Sequence, residues 1–253
     1  MKIAAVVLTK NESRHIGECL RTLQWADERV VFDSFSNDDT AEMARQSGAR
    51  VIQHPFSGYA SQRNAALEQV DADWIFFVDA DERGTPELGE EIRRVVAQPE
   101  VGWWVPRKNI IWGKWIRHTG WSPDYQMRLL KRGFARYDPE HEVHEVGLLD
   151  GAEGFLQNPL THYNYETVRQ FLQKQGCYTA YEAKILLETS GVPRARGLLG
   201  QPLREFWRRF ARLQGYKDGG HGLLLSLLMA YYAFQRVRIA RSMSDARQGA
   251  PRP

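Results

Sequence analysis

The 253-residue sequence is poor in cysteine, holding only Cys19 and Cys177. Two thiols cannot build a disulfide framework or a cysteine-based zinc site, so the chain suits a reducing compartment. Long apolar runs are also missing. The uncharged stretch Gly222–Phe234 has thirteen residues, short of the roughly 20 that span a bilayer, and reads as a buried or interfacial helix. At the start, only Ile3 to Leu8 is apolar before Lys10, Asn11 and Glu12, too little for a secretory leader, so a cytosolic location is expected. Neither an internal repeat nor a low-complexity tract is present, and no nucleic-acid-binding motif appears, so nucleic acid is not an expected partner.

The composition that remains is that of a folded protein: 43% hydrophobic and 26% charged. At roughly 150 residues per domain, the length fits one large domain with an extension. The net charge of +3 is unevenly spread. Residues 195–253 hold eleven Arg or Lys against three acids, a net +8, which leaves the other 194 residues at −5. A basic tail on an acidic body seeks an anionic surface.

Short apolar runs alternate with helical spacing over the first hundred residues. Lys2–Leu8, Arg29–Phe32, Arg50–Gln53 and Trp74–Val78 read as strands, and Arg14–Gln24, Asp39–Ser47 and Ser61–Val70 as helices. This βαβ alternation predicts an α/β fold, a Rossmann-like, mostly parallel sheet with flanking helices, with ligands beyond the carboxyl ends of the strands. A helix over Pro86–Ala97, a run at Val101–Pro106 and helical residues 165–189 follow. The Gly191–Pro202 segment, rich in Gly, Pro and Arg, reads as a loop. It sets the expected boundary between a domain at 1–190 and a helical extension at 191–253.

The strand ends are polar. Asp79-Ala80-Asp81-Glu82 follows a wholly apolar strand, and adjacent carboxylates repel unless something positive neutralises them. A Mg²⁺ or Mn²⁺ that shares its coordination with substrate phosphates would do so, and a solvated turn capping the next helix is the plainer reading. Thr9-Lys10-Asn11-Glu12 and the Asp33–Thr40 segment end the first two strands, where Asp33 or Glu12 could accept hydrogen bonds from a base or ribose. Ser36, Asn37 and Asp38 are equally good helix caps. Gln62, Arg63 and Asn64 open a helix, where donors and the helix N-terminus suit phosphate. His141-Glu142-Val143-His144-Glu145 is not a zincin motif, since its histidines stand three apart instead of four. Trp103, Trp104, Trp112, Trp115 and Trp121 are five of eight tryptophans within nineteen residues; most should pack, with one or two facing a sugar.

Together these segments resemble glycosyltransferase family 2, enzymes of the GT-A fold, over residues 1 to about 150. Thr9-Lys10-Asn11-Glu12 is similar to the family's first nucleotide-binding segment, Asp33 to Thr40 to its DxxSxDxT stretch, and Asp79-Ala80-Asp81 to its DxD motif. Pro123-Asp124 and Arg128-Leu129 are similar to its acidic residue and RL pair. Within the family, Gly58–Asn64, Gly120–Gln126 and His144-Glu145 resemble bacterial lipopolysaccharide core glucosyltransferases. Ser34 stands where many members have a second Asp, which leaves Asp33 and Ser34 as alternative base contacts, and Arg63 replaces a common lysine.

The resemblance implies an inverting enzyme that needs a divalent cation and moves a sugar, glucose being expected, from a UDP-sugar to a glycolipid or oligosaccharide acceptor. It implies Asp124 as catalytic base and Asp81, with Asp79, as metal ligands. Thr9, Asn11, Glu12, Asp33, Ser34, Asp38, Gln62, Arg63, Asn64, Asp79 and Ala80 are the expected nucleotide-sugar contacts; Trp121, Arg128, His144 and Glu145 are assigned to acceptor or diphosphate. Alternatives are another lipid-linked or polysaccharide acceptor, a non-catalytic binding scaffold, or a nucleotidyltransferase, whose glycine-rich loop is missing after the first strand. In the tail, Leu203, Phe206, Trp207, Phe210 and Leu213 fall at helical spacing among Arg204, Arg208, Arg209 and Arg212. A basic amphipathic helix of this kind suits an anionic membrane, which predicts peripheral attachment at the inner face of the cytoplasmic membrane. The plainer reading packs these helices on the catalytic domain.

Overall fold

The computed structural model describes residues 1–138, 147–192 and 197–249. The chain divides into two compact units, Met1–Lys108 with Asp124–Tyr163, and Asn109–Pro123 with Asn164–Pro253. The second unit joins residues from both sides of the boundary expected at 190. Backbone pairing explains why: the Trp112 N–H donates to Tyr165 O, grouping 109–123 with the later helices, a long-range contact that composition does not reveal.

The first unit opens with β1 (Ile3–Thr9), α1 (Ser13–Arg21), β2 (Glu28–Asp33), α2 (Thr40–Gln46), β3 (Arg50–Gln53), α3 (Tyr59–Gln69) and β4 (Trp74–Asp79). β5 (Glu82–Arg83), α4 (Pro86–Val95) and β6 (Gly102–Ile111) follow, then β7 (Lys114–Trp115) in the second unit. β8 (Tyr125–Lys131), β9 (Ala135–Tyr137), β10 (Gly147–Leu149), β11 (Glu153–Phe155) and β12 (Leu160–Tyr165) complete the strands. The main sheet runs β3-β2-β1-β4-β8-β6-β12-β5. β3, β2, β1 and β4 are parallel, whereas β8 is antiparallel to both β4 and β6. This is the α/β, Rossmann-like sheet expected, extended on one side by antiparallel strands.

The unbroken apolar runs of β1 and β4 reflect burial on both faces. Ala5, Val7, Phe76 and Val78 belong to one core, while Ala4, Val6, Ile75 and Phe77 belong to the other. α4 shows the local signals plainly: Pro86 at its first turn, and Thr85 Oγ1 accepting the Leu88 N–H at 3.2 Å.

Because β2 and β4 flank β1 in parallel register, with Thr9 opposite Asp33 and Leu8 opposite Asp79, their polar ends emerge at one sheet edge. The chain winds from β1 through β2 to β3 on one side and returns to place β4 on the other. Open α/β sheets bind ligands beyond the strand ends at such a reversal. A register shift in the β6–β8 pair pairs Trp103 with Leu129 and Trp104 with Met127, so Arg128 is the extra residue of a β-bulge.

In the second unit, α5 (Val168–Ser190) and α7 (Gly220–Gly249) share a core of Ile111, Ile116, Tyr165, Phe171, Leu225 and Tyr232, and α6 (Gly197–Trp207) packs along α7 with no buried residue of its own. α6 runs into a π-helical turn at Arg208–Arg212. The Gly191–Pro202 loop expected from the sequence is corrected here: α6 starts at Gly197 and contains Pro202. Gly197 packs near Val237 of α7, and tertiary packing of this kind overrides the intrinsic weakness of Gly and Pro in helices. α7 also exceeds the apolar stretch that signals it. Its residues Leu225, Ser226, Tyr232, Ala233, Val237, Ala240 and Ser244 form a buried stripe. Asp218 fixes the turn before α7, accepting from the backbone N–H groups of Arg117 and His118 and from the Thr119 hydroxyl.

Candidate active site

The ends of β1 and β2 are latched together by polar side chains. The Thr9 hydroxyl donates to the buried Asp33 carboxylate at 3.0 Å, which also accepts the Ser36 N–H at 3.0 Å. Asn11, with φ 57°, donates its backbone N–H to Ser36 Oγ and accepts from the Asn37 N–H, each at 2.8 Å. The Glu12 N–H donates to Thr40 Oγ1, and the Ser13 N–H donates to Asp38. Although a slight loss of hydration works against ionisation of the exposed Asp38, hydrogen bonds from Thr40 and Ser13 outweigh it and hold the carboxyl at about 2. Thr9, Asn11, Glu12, Asp33 and Asp38 are thus brought together, with Asp38 spent on bracing two loops.

α3 supplies the next layer. The buried Gln62 amide donates to Ser34 Oγ at 2.9 Å, and its carbonyl oxygen meets His54 Nδ1 at 2.9 Å. Asn64 is turned elsewhere: its amide donates to Tyr137 O and its oxygen accepts the Tyr137 N–H, clamping β9 to the helix. Arg63 lies over the rings of Phe77 and Tyr137 and stands 3.6 Å from Asp79.

The acidic end of β4 is neutralised by arginines. The Arg128 guanidinium forks onto both oxygens of Asp79 and also donates to Glu82 Oε1 at 2.9 Å. Arg107 lies 3.5 Å from that same Glu82 oxygen and donates to Asp124 Oδ2 at 2.8 Å. The other Asp124 oxygen accepts from Gln126 at 2.9 Å. Burial alone would raise the Asp79 pKa; the Arg128 and Arg63 charges outweigh it and keep the carboxyl well below the usual carboxylate range. Arg128, whose burial would lower its pKa, is held well above the ordinary guanidinium range by Asp79 and Glu82. The cation expected from the repulsion argument is therefore not required to keep these acids together, because three guanidiniums already do so.

The two acids of the Asp79-Ala80-Asp81 motif differ in their surroundings. Asp79, expected to share the metal, has both of its oxygens engaged by Arg128. Asp81 is partly exposed, with His162 Nε2 3.6 Å from Oδ2 and the Tyr163 N–H donating to its backbone carbonyl. One carboxylate and one imidazole nitrogen, completed by diphosphate oxygens, would make a donor set better suited to Mn²⁺ than to Mg²⁺, which prefers oxygen alone. Among the described residues no cluster of three or more protein ligands exists, so the substrate would have to supply the rest.

Arg107 and His162 escaped the sequence reading, which took Glu82 only as one of the acids at the end of a strand. His162 pairs with Glu82 across β5 and β12, 80 residues apart, and Arg107 carries no motif. Trp121 belongs to the second unit, where it packs edge-on to Tyr165 at 6.0 Å as part of an aromatic core. His144 and Glu145 lie outside the described residues. Of the other clustered tryptophans, Trp103 is core, Trp104 stacks on Phe155, Trp112 packs on Phe171 and Trp115 lies under Arg117.

Known proteins share this sequence pattern. The chain is 30% identical over 247 residues to the lipopolysaccharide core biosynthesis glycosyltransferase LpsC of Rhizobium meliloti, covering 92% of this chain and 90% of that one. An uncharacterized glycosyltransferase of Rickettsia bellii is 26% identical over 96% of this chain and 87% of its own length. Among solved structures, residues 1–349 of Staphylococcus aureus TarS align with a TM-score of 0.47 at 15% identity, over 100% of this chain and 93% of that one. Glucosyl-3-phosphoglycerate synthase of Mycobacterium tuberculosis, bound to Mn²⁺, UDP and glucosyl-3-phosphoglycerate, also aligns at 0.47, with 19% identity over 77% and 81%. The family model for Glycosyl transferase family 2 matches residues 4–147, the span that holds the strand-end cluster, and the chain belongs to that family.

Proposed function

We propose that this glycosyltransferase moves a sugar, glucose being expected, with inversion, from a UDP-sugar to an envelope glycolipid such as the lipopolysaccharide core. The observation that carries the reading is the Asp124 carboxylate, fixed on one oxygen by Arg107 and on the other by Gln126 and linked through Arg107 to the β4 end. In the proposed reaction the acceptor oxygen bonds to the anomeric carbon as its proton passes to Asp124, and the bond from that carbon to the diphosphate breaks. Arg63 and the α3 N-terminus hold phosphate oxygens, while Thr9, Asn11, Glu12, Asp33, Ser34 and Gln62 shape the base and ribose end. A divalent cation at Asp81 and His162 would stabilise the negative charge on the departing diphosphate. The acceptor class is supported by the likeness to LpsC.

Thermal-shift titration with a panel of nucleotide sugars, with and without Mn²⁺, followed by transfer assays on Asp124→Asn, tests the assignment. Metal-dependent stabilisation by a UDP-sugar, with transfer reduced by about 10²–10⁴ in the variant and UDP binding retained, is expected. Wild-type transfer by Asp124→Asn overturns the base. Pyrophosphate release from UTP and a sugar phosphate would instead identify a nucleotidyltransferase.

A second observation concerns the α6–α7 pair. Leu199, Leu203 and Trp207 on α6 are 74%, 70% and 69% exposed, and Leu223, Leu227 and Tyr231 form an exposed stripe of the same spacing on α7. The acids nearby are spent internally: Glu205 on Arg208 and Arg209, Asp218 on backbone amides. Arg204, Arg212 and Arg238 are exposed. We propose that these stripes dock on an anionic bilayer. Although α7 is long and apolar enough to be a candidate span, its buried stripe packs within the unit and favours an interfacial position. Cosedimentation with phosphatidylglycerol vesicles at low salt, lost at high salt, is expected; no binding at low salt rejects the surface, and concentration-dependent dimerisation would assign it to a second copy.

A further inference from the structure

We infer that Glu82 is a positioning residue that sets the separation between the nucleotide end of the site, at Asp79, and the carboxylate of Asp124. The inference rests on the reading of Asp124 as the base.

Glu82 has no solvent exposure. Its Oε2 accepts the Asp79 N–H at 2.9 Å, which closes the four-residue turn after β4. Its Oε1 faces two guanidiniums, Arg128 at 2.9 Å and Arg107 at 3.5 Å. Beyond them, Arg128 forks onto Asp79, and Arg107 reaches Asp124 Oδ2 through Nε and a terminal nitrogen, both at 2.8 Å. The result is an unbroken file of alternating charge: Asp79, Arg128, Glu82, Arg107, Asp124. Among the described residues, Glu82 is the acid that both arginines share.

The alternation explains why a charged residue sits where burial disfavours it. A buried carboxylate is tolerated when paired and hydrogen-bonded, and Glu82 uses both oxygens. Neutralising it leaves two largely buried guanidiniums facing each other across the vacated charge. Repulsion then draws Arg128 and Arg107 apart, each with the carboxylate it grips. Displacement transfer needs the acceptor oxygen, placed by its base, at near-attack distance from an anomeric carbon placed by the donor site. A misplacement of about 1 Å in such an arrangement costs on the order of 10²-fold.

Glu82→Gln is the direct test, because the amide keeps the shape and can still accept the Asp79 N–H. Expected is a kcat about 100-fold lower, with the donor KM and the UDP dissociation constant within threefold of wild type. The double variant Glu82→Gln/Arg107→Gln should be no slower than the slower single variant, since residues acting as a unit are not additive. A wild-type kcat in Glu82→Gln overturns the inference, and so does a parallel loss of kcat and UDP affinity, which marks a purely structural role. Multiplicative single effects in the double variant also overturn it. Should Glu82→Gln fail to fold, Arg107→Lys reads the same link by keeping the charge and losing the fork: a fall in kcat at constant donor KM supports it, and wild-type kcat overturns it. Asp124→Asn separates the two claims, because an active Asp124→Asn defeats the base itself, whereas an inactive one beside a wild-type Glu82→Gln defeats only the coupling.

Discussion

Arginine does opposite work in the two units. In the first, Arg63 and Arg128 are buried and Arg107 is nearly so, and all three are committed to Asp79, Glu82 and Asp124. In the second, Arg204, Arg212 and Arg238 are exposed among leucines and a tryptophan that are exposed as well. Buried ions are costly unless paired, so the first pattern persists only where a fixed geometry is needed; exposed charge beside exposed apolar surface costs little and suits a partner that is both anionic and oily. The first region trades solvation for position, and the second keeps its surface open.

The largest effect should come from breaking the buried side of this contrast. Arg128→Met leaves Glu82 and Asp79 without their main counter-charge, and loss of one partner of a buried pair costs about 3–5 kcal/mol. Chemical denaturation should show that loss as a lower midpoint at constant slope; a change under about 1 kcal/mol would mean that water, and not Arg128, satisfies the acids. Next in size are the two groups proposed to share the cation. Asp81→Asn and His162→Ala should each weaken Mn²⁺-dependent UDP binding at least tenfold by calorimetry while leaving metal-free UDP binding unchanged. Metal-free binding that falls equally would place both residues on the nucleotide instead.

The exposed side breaks differently. Leu203→Ser/Trp207→Ser should hold stability within about 0.5 kcal/mol, since neither side chain is packed, yet abolish sedimentation with anionic vesicles. A large loss of stability with vesicle binding intact would reverse the assignment of that face.

How much of this was legible beforehand follows from sequence distance. The parallel half of the sheet and its polar ends could be read because each signal is local: an apolar run, then Thr9, Asp33 or Asp79 within a residue or two of the strand end. The roles of Arg107, Glu82 and His162 could not, because they arise from antiparallel pairings and a β-bulge that bring distant segments together. The acidic triplet was legible as a charge problem but not its solution, since a counter-cation and three remote arginines satisfy the same electrostatics. Helix α6 was missed for the opposite reason. Its Gly and Pro are strong local breakers, and packing along α7 overrides them.

The smallest expected effect concerns Glu205, an acid of the basic tail that is engaged with two arginines. Its burial would raise its pKa, but hydrogen bonds from Arg208 and Arg209 outweigh that and bring it from 4.5 to about 2. A carboxyl depressed on folding adds stability that is fully present above its ordinary pKa and is lost as pH falls through the folded value. The window is therefore between about 4.5 and about 2, and solvent screening of the partly exposed pair limits the contribution to about 1 kcal/mol. Glu205→Gln should melt slightly below wild type at pH 6, with the gap closing as the pH is lowered toward 2. The same substitution frees Arg208, while Arg209 keeps its bond to the Thr119 carbonyl, so vesicle binding at pH 6 should be equal to or stronger than wild type. If binding weakens instead, the arginines act by holding α6 in shape, and the contrast between inward and outward arginines would have to be redrawn within the tail itself.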